Sequence, residues 1–390
     1  MSVTISVPKE KASGERRVAM VPKVARKLAQ LNVELTIAKG AGQKSRILDS
    51  AFAEPVKTSG RTEDVIASDI MLAVNAPEPD TIRQMRENTI LISFVQAHQH
   101  PEVVKALNEN KITCFAMELI PRITRAQSMD ALSSQASVAG YKAALMAADA
   151  LERFFPMLTT AAGTIRPAKV LVIGAGVAGL QAIATAKRLG AKVVAYDVRT
   201  DTKEQVESLG AEFLVAEGVK AEAEGGYARE LSKAEQEKQQ AMLEHNMSDA
   251  DAVITTAAVP GRPAPKIITE AMVDKMKAGS VIIDLGAAGG GNCELTDPGR
   301  TVRHGAVTII GPTNAPSLLA EHASEMYAQN VLNFLQLILV EEEGQDEVKP
   351  ADKKRRIAIN WDDEVLAQSV LTHDGKTVNE AARKALGETA

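Results

Sequence analysis

Cysteine is scarce. The 390 residues hold two, Cys114 and Cys293, too few for a disulfide framework and expected as buried apolar fillers in a reducing compartment. An excess of one charge is lacking too: 45 basic against 50 acidic residues leave −5. No basic block stands apart from acidic neighbours, which excludes a nucleic-acid surface. No apolar run is long enough to cross a bilayer, since the longest, 331–340, is broken by Asn333 and Gln336. The start, MSVTISVPKEK, has neither the cationic opening nor the apolar stretch of a signal peptide. HExxH, CxxC and a serine-centred elbow are missing, so metal-dependent hydrolysis and acyl transfer have no support. What is present is apolar material, 45% of residues, and a length that at ~150 residues per domain predicts two or three domains. The composition predicts a soluble, intracellular protein with two cores.

Short Val- and Ile-rich runs alternate with helical periodicity almost throughout. The first series of strands is expected over 5–7, 33–38, 70–74, 89–95 and 112–119, with helices around 24–31, 81–86 and 103–108. A second series covers 170–173, 193–196, 213–214, 252–256, 281–285 and 307–310. Such alternation predicts α/β architecture with two doubly wound, Rossmann-like parallel sheets. Long helices are expected over 137–158, ended by Pro156, and over 317–340. They would act as a hinge pair linking a discontinuous first domain, 1–136 with 318–390, to a nucleotide-binding domain, 137–317. The charge run 341–356 reads as a solvated connector. The stretch 217–240, with Gly218, Gly225 and Gly226, reads either as a floppy insertion or as a closing loop.

The strongest motif is VLVIGAGVAGL, 170–180. Its glycines follow an apolar strand and open an amphipathic helix, and a second strand ends in Asp197, 18 residues beyond Gly179. That is the βαβ context of a dinucleotide site. Gly174 permits the tight turn, Gly176 leaves room for a pyrophosphate, and Gly179 lets helix and strand approach. The helix start supplies amide donors to the phosphates. A carboxylate at Asp197 suits the free ribose 2′-OH of NAD and repels a 2′-phosphate. Arg199 could accommodate such a phosphate, stack on adenine, or hold Asp197. TTAAVPGRPAP, 255–265, with the small Ala258, and DLGAAGGG, 284–291, both follow strands and are expected to finish the pocket.

Keto-acid reduction also needs a cation for the substrate carboxylate and a general acid. His98 and His100 follow a strand of the first series; they read as candidates or as the polar start of a helix. In PRITRAQSMDALSSQ, 121–135, Asp130 and Ser133 would share a helical face with Gln127 just ahead. These groups suit orientation of a carboxamide and ribose, or ordinary capping.

RAQSMDALSSQA, the fingerprint with its AYDVR, TTAAVPGRPAP, DLGAAGGGNCE, GGYA and the opening PKEKASGERRV together resemble the NAD(H)-binding component of proton-translocating nicotinamide nucleotide transhydrogenases. That family shares its fold with alanine dehydrogenase. In alanine dehydrogenases an arginine near the N-terminus and a lysine before a Glu-Pro hold the substrate carboxylate. Arg17 matches the arginine, but Asn75 stands at the lysine position and Gln96 at that of the catalytic histidine; a two-residue shift would substitute His98.

The resemblance implies that Arg122, Gln127, Asp130 and Ser133 contact the nicotinamide half of NAD(H). Gln127 would reach toward a partner's nucleotide. Val177, Asp197, Val198, Arg199, Gly226, Gln239 and Ala258 would surround the pyrophosphate, ribose and adenine, and Tyr227 would belong to a loop that closes over the nucleotide. It implies direct hydride exchange with NADP(H) carried on a partner subunit, which needs proximity and exclusion of water rather than acid–base residues. It further implies a homodimer without a transmembrane segment of its own, docked on membrane-spanning partners at the inner face of a bacterial cytoplasmic membrane. An end at Ala390 without membrane helices suits a separately encoded subunit or an excised domain. An alanine-dehydrogenase-like enzyme and a non-catalytic NAD(H)-sensing module are the alternatives.

Overall fold

The computed structural model describes residues 2–215, 232–258, 263–342, 344, 345, 348 and 353–387. It divides into two compact units, Met1–Gln135 with Ser317–Ala390, and Ala136–Pro316. In chain order the first contributes β1 (Thr4–Val7), β2 (Glu34–Ala38), β3 (Lys57–Ser59), β4 (Ile70–Asn75), β5 (Ile90–Phe94) and β6 (Thr113–Ala116). The second contributes a hairpin, β7 (Leu158–Thr160) and β8 (Gly163–Ile165), then β9 (Lys169–Ile173), β10 (Lys192–Tyr196), β11 (Glu212–Phe213), β12 (Ala252–Thr255), β13 (Val281–Asp284), β14 (Thr301–His304) and β15 (Val307–Ile310). The chain then returns to the first unit with β16 (Leu339–Glu341), β17 (Arg355–Ile357), β18 (Val370–His373) and β19 (Lys376–Thr377).

Among the described residues the first unit builds an eight-stranded sheet, β19-β18-β6-β5-β4-β1-β2-β3, and the second a seven-stranded one, β11-β10-β9-β12-β13-β15-β14. Both are α/β sheets with parallel centres. They carry antiparallel edges that the expected strands did not include: β18 against β6, β19 against β18, and β14 against β15. The central strands are buried on both faces, which is why they read as unbroken Val/Ile runs rather than alternations. In each sheet the order reverses once, between β1 and β4 and between β9 and β12. Crevices beyond the carboxyl ends of strands at such reversals are where ligands bind in this class of sheet.

Two expectations need correction. The first long helix is Ala131–Ala150, not 137–158. It starts early because Asp130 caps it, accepting the Ser133 amide (2.9 Å) and hydroxyl (2.6 Å). It ends before Pro156 because the chain turns to bury Leu151 and Phe155. The expected connector 341–356 is, in its described part, one side of the β16–β17 hairpin, with Glu341 bridging Lys353 (2.7 Å) and Arg355 (3.1 Å). The second long helix spans Ala320–Ile338. No helix among the described residues is long and apolar enough to cross a membrane. Cys114 and Cys293 are buried, and burial pushes both thiols up, the state of inert structural cysteines.

Candidate functional site

In the second unit, β9 runs into Gly174 and then into the helix Val177–Arg188. Gly174 takes φ +94°, a conformation side chains disfavour. A Cβ on Gly179 would fall 1.8 Å from the Gly174 carbonyl, so nothing larger than glycine lets this helix close on its strand. Gly176 differs, because a Cβ there would find nothing nearer than Arg199 Nη2 at 3.8 Å. Gly176 is the N-cap and supplies no side chain to the first-turn amides, which leaves them to an anion. Val177 beside them is exposed. An open glycine over an uncapped helix start fits a pyrophosphate.

Asp197 closes β10 and is buried. Its carboxylate accepts the Ala175 amide (2.7 Å) and the Arg199 amide (2.9 Å), and Arg199 grips it through Nε and Nη2, both at 2.9 Å. Of the roles open to Arg199, the geometry gives the holding of Asp197. Val198 packs on the adjacent core. Gln239, on the helix Lys233–Ser248, neighbours the Tyr196 hydroxyl, whose pKa burial pushes up to about 12; that hydroxyl is buried without a hydrogen bond of ordinary geometry among the described residues. Across the crevice Thr256 Oγ1 donates to the Gly174 carbonyl (3.1 Å), and Ala258 follows, exposed.

Two buried residues not singled out from the sequence as site residues shape this edge. Asn292 accepts the Thr255 hydroxyl (2.8 Å) and donates to the Ala257 and Pro265 carbonyls (2.8 and 2.9 Å). Asp284 accepts the Gly286 and Cys293 amides (2.9 and 3.0 Å) and the Thr296 hydroxyl (2.6 Å). Together they tie the TTAAV loop to the glycine-rich loop, and their place directly after strand ends was the available signal. Gly226 and Tyr227 lie outside the described residues.

Arg122, Gln127, Asp130 and Ser133 belong to the other unit. Thr124–Met129 is a 3-10 turn that buries Ala126 and Met129 and leaves Arg122 and Gln127 exposed. Asp130 and Ser133 form the helix cap already described, so that local role is met whatever else they touch.

The crevice between β1 and β4 in the same unit is filled from within. Arg17 forms a two-pronged pair with Glu15 (2.8 and 2.7 Å) and donates to Gln135 (2.9 Å). Glu15 also accepts the Ser317 hydroxyl (2.7 Å) and the Asn75 amide group (3.0 Å). Asn75 shares that group with Glu10 (3.1 Å), which accepts the Val74 amide at 2.6 Å. Burial pushes the Glu15 carboxyl up, and the Arg17 guanidinium more than reverses it, holding Glu15 well below the usual carboxylate range. Glu10 has no cation and burial lifts it to about 7. Glu118, lifted by burial, accepts the Val95 and Gln96 amides. Gln96 points to the surface with φ +52°, and His98 and His100 are exposed at the start of the helix Pro101–Glu109. A small carboxylate entering here would meet acids and one arginine already spent.

Two doubly wound units, one with a dinucleotide cradle and one with an internally neutralised crevice, define the class, and the chain belongs to the alanine dehydrogenase/PNT family: its N-terminal-domain model matches residues 6–139 and its C-terminal-domain model 143–380. Within that NAD(H)-binding family it groups with transhydrogenase alpha subunits. It is 45% identical over 388 residues to the first of the polypeptides that make up the NAD(P) transhydrogenase alpha subunit of Rhodospirillum rubrum, covering 97% of this chain and 98% of the relative. The crystal structure of a transhydrogenase from Sinorhizobium meliloti superposes with TM-score 0.82 at 38% identity, covering 97% and 99% of the two chains. Identity to alanine dehydrogenase of Mycolicibacterium smegmatis is 27% over 391 residues, covering 98% and 96%.

Proposed function

We propose that this chain is the NAD(H)-binding subunit of a transhydrogenase, exchanging hydride directly between NAD(H) and NADP(H) carried on a partner subunit. Membrane-spanning partners would couple that exchange to proton movement. The observation that carries the reading is the crevice between β1 and β4, where Glu15 consumes Arg17 and Asn75 replaces the second cation. Activation of a small keto acid has no place to occur there, and a dinucleotide cradle remains. The bound nicotinamide supplies a hydride at its C4. The amides of Gly176 and Val177 would take the pyrophosphate; Asp197, Val198, Arg199, Gln239 and Ala258 the adenosine; and Arg122, Gln127, Asp130 and Ser133 the nicotinamide half. Gly226 and Tyr227 would close over the nucleotide. Such residues orient a ring and exclude water without moving a proton. We infer further that the chain works as a homodimer, peripheral on the inner face of a bacterial cytoplasmic membrane; the naming of its relatives as alpha subunits supports assembly with partners.

The deciding experiment follows NADH oxidation with NADP⁺, with and without an NADP(H)-binding component, and in parallel with pyruvate plus ammonia. Partner-dependent exchange and background alanine formation are expected. Robust alanine synthesis would make the chain an amino-acid dehydrogenase, and NADH binding with no exchange in any arm would make it a sensing module.

A further inference from the structure

The turn that carries Gln127 is six residues of 3-10 helix, too short to hold its own shape. It is fastened from outside on both sides of Gln127. Two residues earlier, Arg125 makes a two-pronged pair with Asp363 (2.8 and 2.6 Å), and Asp363 also accepts the Val365 amide (2.9 Å) at the start of the helix Glu364–Ser369. One residue later, the Ser128 carbonyl accepts two side-chain amides at once, from Asn330 (2.8 Å) and Asn333 (2.9 Å). Asn330 is buried, and its oxygen accepts the Ser134 hydroxyl (2.7 Å); Asn333 is oriented by Gln329 (2.8 Å). Asparagines in a largely buried helix weaken it and need partners. Here both partners lead to one carbonyl beside Gln127. Gln127 itself is exposed, and its side-chain amide makes no hydrogen bond among the described residues. The clamp therefore fixes the backbone and leaves that amide ready to act.

We propose that Asn330 and Asn333, with Asp363 as counterpart, are positioning residues that hold the turn so that Gln127 is presented at a set place for hydride exchange. This rests on the reading of Gln127 as the group facing the second nucleotide.

The test compares Asn333→Ala, Asn330→Ala, Asp363→Asn, Gln127→Ala and Gln127→Ala/Asn333→Ala in the full chain. NADH affinity is read by fluorescence titration, and single-turnover transfer is read with NADP⁺ on the NADP(H)-binding component. Misplacement by about 1 Å can cost ~100-fold in rate, so Asn333→Ala should slow transfer roughly tenfold and leave NADH affinity at the wild-type value. On the Gln127→Ala background it should add nothing, since both act through one group. If Asn330→Ala does not fold, the half-exposed Asn333 and Asp363 variants carry the test. Wild-type transfer by Asn333→Ala and Asp363→Asn while Gln127→Ala is slow would overturn the positioning role, as would equal losses of affinity and transfer, or additive losses in the double variant. Wild-type transfer by Gln127→Ala would instead overturn the reading of Gln127.

Discussion

Between β1 and β4 the crevice is occupied by side chains, Glu10, Glu15, Arg17 and Asn75, satisfied by one another. Between β9 and β12 it is walled by backbone: a glycine turn, an uncapped helix start, and loops tied down by Asn292 and Asp284. The same topological feature thus serves two ends. Charge that completes itself stabilises the first and denies it to ligands, whereas the second keeps donors without intramolecular partners and stays receptive.

Breaking the first crevice should have the largest effect. Arg17→Met leaves Glu15 buried without its cation, and loss of one partner of such a pair costs about 3–5 kcal/mol. Urea melts at neutral pH should register that loss, and adding Glu15→Gln should recover some of it. The second crevice predicts a smaller effect. Asp197→Asn removes one charge-assisted partner of Arg199 and of the ribose, and at about 1.5 kcal/mol for such a bond NADH should bind roughly tenfold more weakly. Discrimination against NADPH should narrow in the same titration. Unchanged affinity would remove Asp197 from the site. The smallest effect sharpens the first crevice again. The Glu10 pKa is 4.5 unfolded and about 7 folded, so the folded state holds the extra proton between those values. Stability then falls as pH rises from 4.5 to 7 and is flat above. In Glu10→Gln that decline, on the order of 1 kcal/mol, should vanish from melts run across the window.

Legibility followed locality. The parallel centres and the βαβ fingerprint were readable because their signals lie within a strand, a turn and a helix. The edges β3, β14, β18 and β19 were not, being short and partly exposed. The first helix begins six residues ahead of its expected start because Asp130 reads equally as a ligand or a cap until its bonds to Ser133 are visible. Arg17 and Asn75 were recognisable as altered positions, but the pairing that spends Arg17 was not. Glu10 meets Asn75 across 65 residues and Glu15 meets Ser317 across 302, distances over which composition and periodicity carry no information.

β18 lies antiparallel to β6, with Val370 opposite Phe115, so the sheet begun first is completed last. During synthesis the contiguous stretch 136–316 emerges whole and can close on its own. The strands before it wait for an edge made roughly 250 residues later, about 10–50 s at ~5–20 residues per second. Over that interval β6 offers unpaired amides and carbonyls to any passing strand. A nascent chain stalled before residue 370 would be the form most in need of a chaperone.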